Sequence, residues 1–224
     1  MIDEKFLSYL EGYVSDKRKA TFQRVLEERT RHFTVVLEDI YQSHNSSAVI
    51  RTCDVFGIQD VHVIENKYFN KVSRYVAKGS QKWLSFHWYK NEAANTENCL
   101  QHLREKGYQI VATTPHNDSC LLHDFDISKK TAFVFGVEKE GVSEYTMQQS
   151  DGFLKIPMVG FTESLNISVA AAIILQEVTT KLRNSNLDWK LSVTEKESLY
   201  AEWVQKSIKS IKKITNQYNL EVNK

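Results

Sequence analysis

Short apolar runs rich in β-branched and aromatic residues recur along the chain, at Phe33–Leu37, Val61–Ile64, Leu84–Tyr89, Gln109–Thr113, Ala132–Phe135 and Phe153–Pro157. Segments with helical spacing separate them: Ala48–Phe56, a basic stretch over about 70–81, Glu92–Lys106, a short piece near Ser143–Gln149 and a long one over Leu165–Arg183. Strands that are apolar throughout, rather than alternating, are buried on both faces. Alternation with helices then predicts an α/β fold, a mainly parallel sheet with helices on both faces. Ligands in such sheets sit beyond the carboxyl ends of the strands, where Thr113, Gly136 and Met158 fall. Helices are also expected over residues 4–31 and from about Thr194 to Gln217, outside the sheet-forming region.

The 224 residues suit one ordinary domain with helical extensions, and an apolar fraction of 42% is enough for a real core. No stretch approaches the ~20 apolar residues of a membrane span, and the first residues lack the build of a secretory signal. Cys53, Cys99 and Cys120 are scattered, which fits reduced thiols in the cytoplasm, and no His or Cys pair has metal-ligand spacing. A net charge of +1 hides a segregation. Lys17, Arg18, Lys19, Arg24, Arg29 and Arg31 make the N-terminal region basic. Lys67, Lys71, Arg74, Lys78 and Lys82 interleave with Tyr68, Phe69, Tyr75 and Trp83, and Lys206, Lys209, Lys212 and Lys213 lie near the C-terminus. Each run reads either as a solvated helix face or as a grip on the phosphates of a polyanion, and the aromatics of the 67–83 run favour RNA.

Three segments carry candidate chemistry. Asn45, Ser46 and Ser47 are helix-capping types, followed by a short helix stopped at Gly57, with Val49, Ile50, Cys53 and Phe56 as its buried stripe. Arg51 falls nearly opposite that stripe, either as an exposed partner of Asp54 or as a guanidinium presented to a phosphate or hydroxyl. In Gly136-Val137-Glu138-Lys139-Glu140-Gly141, Gly136 would let a ligand approach the backbone and Gly141 would tolerate positive φ, or the segment is a routine strand-to-helix loop. It is neither a Rossmann fingerprint nor a P-loop. The third segment, Ile156 to Ala170, places Glu163, Ser164 and Asn166 between an apolar strand and an apolar helix. Buried there, they would need partners that a ligand could supply. His44 and His116 read as structural or solvent-facing, and no Gly-x-Ser-x-Gly elbow is present.

Together, Asn45-Ser46-Ser47-Ala48-Val49-Ile50-Arg51-Thr52-Cys53-Asp54 with Gly57, Gly136-x-Glu138-x-x-Gly141, and Ile156 through Ala170 resemble, in order and spacing, the motifs of the SpoU branch of the SPOUT RNA methyltransferases. The resemblance covers about residues 20–180. The Arg24–Arg31 flank and the helical C-terminal extension are similar to those of the tRNA guanosine 2′-O-methyltransferases within it. Gln42-Ser43 stands where such relatives often carry Lys-Pro.

The resemblance implies a trefoil-knotted domain over 33–184 between helical extensions at 1–32 and 185–224. It implies S-adenosylmethionine as methyl donor, held by Thr113, Thr114, Gly136, Glu138, Ile156, Met158, Ser164, Leu165 and Asn166. Arg51 and Asn45 would be catalytic, and Arg18, Arg24, Arg31, Lys71, Arg74 and Lys78 would contact RNA. The implied reaction is methylation of the ribose 2′-hydroxyl of tRNA, at the D-loop guanosine of position 18. The alternatives are ribosomal RNA, another tRNA site, or a knotted module that binds RNA without catalysis. Family members are homodimers, and Leu199, Trp203, Ile208 and Ile211 offer apolar helix faces for such an interface.

Overall fold

The computed structural model describes residues 3–67, 79–90, 93–114, 119–137 and 140–222. The Lys71, Arg74 and Lys78 positions, most of the basic stretch expected as helix, His116 and Glu138 lie outside the described residues. Contacts divide the chain into two compact units, Thr30–Trp189 and the two ends, Met1–Arg29 with Lys190–Lys224.

The larger unit is built on a seven-stranded sheet, all of whose pairings are parallel. Its strands are β1 (Phe33–Glu38), β2 (Asp60–Ile64), β3 (Ser85–Tyr89), β4 (Gln109–Thr113), β5 (Cys120–Leu121), β6 (Thr131–Phe135) and β7 (Gly152–Lys155). The spatial order is β3-β2-β1-β6-β4-β7-β5. The chain therefore builds outward from β1 in one direction, then returns to build the other half, with β6 inserted between β1 and β4.

The expected burial on both faces holds for β1, β2, β4 and β6, whose alternate side chains enter two separate cores, while the outer strands β3 and β5 are half-buried or exposed. Phe33, Val35 and Leu37 of β1 and Phe133 and Phe135 of β6 join Val49, Ile50, Cys53, Ala171, Ile174 and Val178 on one face. Those partners come from α3 (Ser43–Val55) and α6 (Ile167–Arg183). Val36, Ala132, Val134, Ile110 and Ala112 face the other way, onto Cys99, Leu100 and Leu103 of α4 (Asn95–Glu105) and Met147 of α5 (Glu144–Gln149).

The stripe expected on α3 is correct for Val49, Ile50 and Cys53, with Phe56 packed against its edge. The helix starts at Ser43, however, so Asn45 and Ser46 lie inside its first turn and Gln42 takes the cap position. Gly57 (φ 79) and Gly107 (φ 80) end α3 and α4 in the left-handed conformation. Strand β7 stops at Lys155, short of Pro157, which has no N–H to offer a ladder. Asp39, just past β1, is a non-glycine residue at φ 52.

At the β2–β3 edge, on the α4 face, three imidazoles gather. The His62 and His87 rings stack with centroids 4.5 Å apart, and His102 lies 6.2 and 6.0 Å from them. His62 Nδ1 is 3.2 Å from Tyr89 Oη, and Asp60 lies 3.4 Å from His87 Nε2 and 2.9 Å from Arg31 Nε. Burial, with a further push from His87, drives the His62 imidazole down to about 3.

The terminal unit contains α1 (Glu4–Glu11), α2 (Asp16–Leu26), α7 (Val193–Ser207) and α8 (Ile211–Val222). The single helices expected over 4–31 and 194–217 are thus each broken. Gly12 ends α1, and Ser15 opens α2 with Val14 turned into the core between them. The chain turns again after Ile208, which is itself buried. The ends form one unit rather than two separate extensions. Leu10, Phe22, Leu26, Leu199, Trp203 and Val204 are buried, and Phe22 packs edge-on against Trp203. Leu199, Trp203 and Ile208 are therefore occupied in this core and do not present the apolar face expected for a dimer. Among the described residues no helix is long and apolar enough to cross a membrane, and no cluster of metal-ligating side chains occurs.

Candidate active site

The adjacent strands β6, β4 and β7 all end at the same edge, and a cavity of about 600 Å³ opens there. Its size is that of a small-molecule site (~300–1,000 Å³). Thr113 and Thr114 follow from β4, Phe135, Gly136 and Val137 from β6, and Lys155, Ile156 and Met158 from β7. Glu163, Ser164 and Leu165 approach from the loop before α6, and Ile167, Ala170 and Ile174 from α6 itself.

One wall is made by a turn that folds back on its own strand. Val137 and Gly141 exchange backbone hydrogen bonds at 3.0 and 2.9 Å, and Gly141 reaches this arrangement at φ 72. A Cβ on Gly136 would stand 2.0 Å from the Gly141 carbonyl oxygen and 2.3 Å from the Val142 nitrogen. Gly136 is required because the returning backbone occupies that space, which revises the expectation that a ligand would fill it. The left-handed Gly141 is as expected. Ser143 then caps α5, its Oγ accepting from Thr146 N at 3.1 Å.

The facing wall, Met158 to Leu165, has a different character. Glu163, Ser164 and Asn166 are exposed rather than buried as expected, and Val159 and Phe161 are fully exposed. The strand ends sooner than the apolar run suggests, and the loop stands away from the core. Asn166 caps α6, its Oδ1 accepting from Ser168 N at 2.9 Å and Ser168 Oγ at 2.6 Å. Its Nδ2 donates to Asn45 Oδ1 at 3.1 Å, while Asn45 Nδ2 donates to Gln42 Oε1 at 3.2 Å. The first and third motifs are thereby joined across 121 residues of sequence. Asn166 thus has protein partners where a ligand was expected.

Of the nine residues expected at a cofactor, Thr113, Thr114, Gly136, Ile156, Met158, Ser164 and Leu165 line the cavity. Asn166 sits behind them as helix cap. Arg51 is exposed on α3, which packs against α6, and is not among the cavity's lining residues; Asn45, on the same helix, is buried. Of the expected RNA contacts, Arg18 and Arg24 are exposed on α2, whereas Arg31 is paired with the carboxylate of Asp60. Arg29, part of the same basic run, is buried with its guanidinium 5.5 Å from the Trp203 ring centroid. Sequence reasoning did not anticipate Val142, Met147 or Ile174 in the lining. Val142 and Met147 flank the cap of α5 and could have been found from the turn that Gly141 signals.

The cavity combines an apolar floor (Leu154, Ile156, Ile167, Ile174) with hydroxyls of Thr113, Thr114 and Ser164 and carboxylates of Glu140 and Glu163. It suits a ligand with an apolar body, hydrogen-bonding edges and a cationic centre. The SpoU rRNA Methylase family model matches residues 32–176. A tRNA (guanosine(18)-2′-O)-methyltransferase of Borreliella burgdorferi is 39% identical, covering 96% of this chain and 97% of the relative. The enzyme of the same description from Thermus thermophilus is 33% identical over 86% of this chain and 98% of its own. The crystal structure of the Aquifex aeolicus TrmH/SpoU tRNA modifying enzyme superposes with a TM-score of 0.77 at 30% identity, covering 86% of this chain and 98% of that one. A cavity assembled from the second and third motifs and the end of β4, on a parallel sheet of this order and with matches that span nearly the whole chain, places the protein in the SpoU methylase family.

Proposed function

We propose that the protein is a tRNA (guanosine(18)-2′-O)-methyltransferase that uses S-adenosylmethionine and acts in the cytoplasm as a homodimer. The observation that carries this reading is the convergence of seven of the nine residues expected at the cofactor on one cavity at the ends of β4, β6 and β7. Similarity to relatives so described extends over the terminal helices as well as the sheet, which favours tRNA over ribosomal RNA. The knotted crossing of the family is part of the same reading and lies within residues 33–184.

S-adenosylmethionine supplies a methyl group already activated by its sulfonium. The chain's own residues then have two tasks, alignment and management of the 2′-hydroxyl proton. Thr113, Thr114, Ser164 and the backbone at Gly136, Ile156, Met158 and Leu165 hold the donor, together with Glu138 of the second motif. Asn166 fixes the start of α6 and, through Asn45, the first turn of α3. Arg51 is thereby held on a helix packed to the cavity's own helix. A guanidinium gives up its proton reluctantly, so it is a poor base but a strong bidentate ligand of phosphate. Arg51 therefore grips the phosphate beside the target ribose and stabilises negative charge developing on the 2′-oxygen. Arg18, Arg24, Arg31, Lys71, Arg74 and Lys78 supply the electrostatic grip on the tRNA.

The homodimer reading rests on Val159, Phe161, Leu165, Val169 and Ile173. These exposed apolar side chains run from the loop along the outer face of α6. An exposed apolar patch of this kind marks an association site. Incubation with methyl-labelled S-adenosylmethionine and unmodified tRNA, followed by mapping of the label, tests the activity. Label at the ribose of the D-loop guanosine is expected, and label on ribosomal RNA alone would refute the tRNA assignment.

A further inference from the structure

Beyond the motif residues, the described part of the larger unit carries a buried carboxylate at the end of β1, beside the cavity wall. Glu38 is 2% exposed. Its Oε2 accepts from the Ser143 backbone N–H at 2.8 Å. Its Oε1 accepts from the hydroxyls of Ser143 at 2.8 Å, Thr146 at 2.9 Å and Thr96 at 3.1 Å. Three of these four donors belong to the first turn of α5 and its cap. Ser143 follows directly on Gly141 and Val142, the backbone that presses on Gly136 and lines the cavity.

The next residue continues the attachment. Asp39 Oδ1 accepts from the Asn66 and Lys67 amides at 2.7 and 2.9 Å, at the cost of a left-handed backbone. Asn66 Nδ2 donates at 2.9 Å to the same Thr96 hydroxyl that reaches Glu38, and Lys67 Nζ lies 3.6 Å from Glu140, another lining residue. A buried charge would be a poor choice for simple adhesion, since an apolar group of similar shape serves as well or better. What a carboxylate adds is direction: four donors must converge on two oxygens.

We infer that Glu38 is a positioning residue for the cofactor, which through Ser143 sets the height of the Gly141–Val142 wall, with Asp39 securing the Glu140 side. The inference rests on the cavity being the S-adenosylmethionine site. Glu38→Gln places an amide N–H₂ against hydroxyl and amide donors and so lifts Ser143 without emptying the site. Thr34→Val removes a buried hydroxyl of β1 that donates to the Asp60 carbonyl at 2.8 Å, outside the Glu38 attachment, and serves as the structural control.

In the full-length protein, Glu38→Gln is expected to raise the calorimetric Kd and the KM for S-adenosylmethionine about tenfold, with kcat at saturating cofactor changed by less than about threefold. Thr34→Val is expected to lower Tm while leaving that KM within about twofold. An unchanged KM in Glu38→Gln, or an equal rise in both variants, would overturn the inference. If Glu38→Gln does not fold, Ser143→Ala decides: a rise of about threefold in KM supports the inference, and none refutes it. A wild-type protein that binds no S-adenosylmethionine would instead refute the function on which the inference depends.

Discussion

The two walls of the cavity are built on opposite plans. The Gly136–Ser143 side is closed on itself: a bridged turn, backbone in van der Waals conflict with any Cβ at position 136, and an anchor in the buried Glu38. The Met158–Asn166 side is exposed, carries Val159 and Phe161 in full contact with solvent, and is fixed chiefly at its far end by the Asn166–Asn45 pair. Neither polar richness nor loop length separates them. The difference is whether the partners come from the chain or from outside it, and a pocket with one preformed wall and one that completes on binding combines affinity with access.

The contrast can be broken most severely at Gly136. Gly136→Ala should abolish S-adenosylmethionine binding and lower stability by ~1–3 kcal/mol or more, because the clash is with backbone that cannot rotate away. Denaturant titration alongside calorimetry checks both effects. Next in size, Arg51→Ala should reduce methyl transfer by about 10²-fold or more while cofactor affinity and Tm stay near wild type, since the side chain is exposed and lies outside the lining. Single-turnover kinetics against unmodified tRNA measure this, and retained activity would remove Arg51 from the site.

On the open wall, Phe161→Ser should leave the fold's Tm nearly unchanged but weaken self-association by about tenfold or more, as read by analytical ultracentrifugation. A monomeric wild type would show that the patch has another use. The smallest effect at neutral pH concerns the sheet edge. His62, held near 3 when folded against ~6.5 when unfolded, binds fewer protons in the folded state. Its contribution is therefore complete above about pH 6.5 and declines at up to about 1.4 kcal/mol per pH unit as the pH falls toward 3. His62→Phe should flatten Tm against pH between 6.5 and 4.5, and an unaltered slope would place the acid sensitivity elsewhere.

The contrast between walls also marks what the sequence discloses. Strands and their two-sided burial are legible because the pattern itself is apolar, and Gly57, Gly107 and Gly141 announce backbone that other residues resist. The closed wall was half legible: Gly141 was read correctly, but the group facing Gly136 is its own returning chain. Glu38 ends an apolar strand, a signal that passes unnoticed until Ser143, 105 residues away, is seen to meet it. The open loop was misread as buried because its neighbours in sequence are apolar, while burial is decided by where the strand stops. Breaks at Gly12–Ser15 and after Ile208 escape notice for a related reason, since helical spacing continues through both while Gly12 closes α1 and Val14 and Ile208 turn into the core beyond the helix ends. The Asn45–Asn166 bond and the joining of the two chain ends are long-range facts that no local pattern contains.

Amide hydrogen exchange with and without S-adenosylmethionine tests the two-wall account most directly. Amides of Val137 and Gly141–Thr146 should be slow in both states, while those of residues 162–164, between the apolar side chains of the association patch, should exchange fast alone and slow by about tenfold or more on binding. Equal protection of both segments without cofactor, or no change in residues 162–164 with it, would contradict the account.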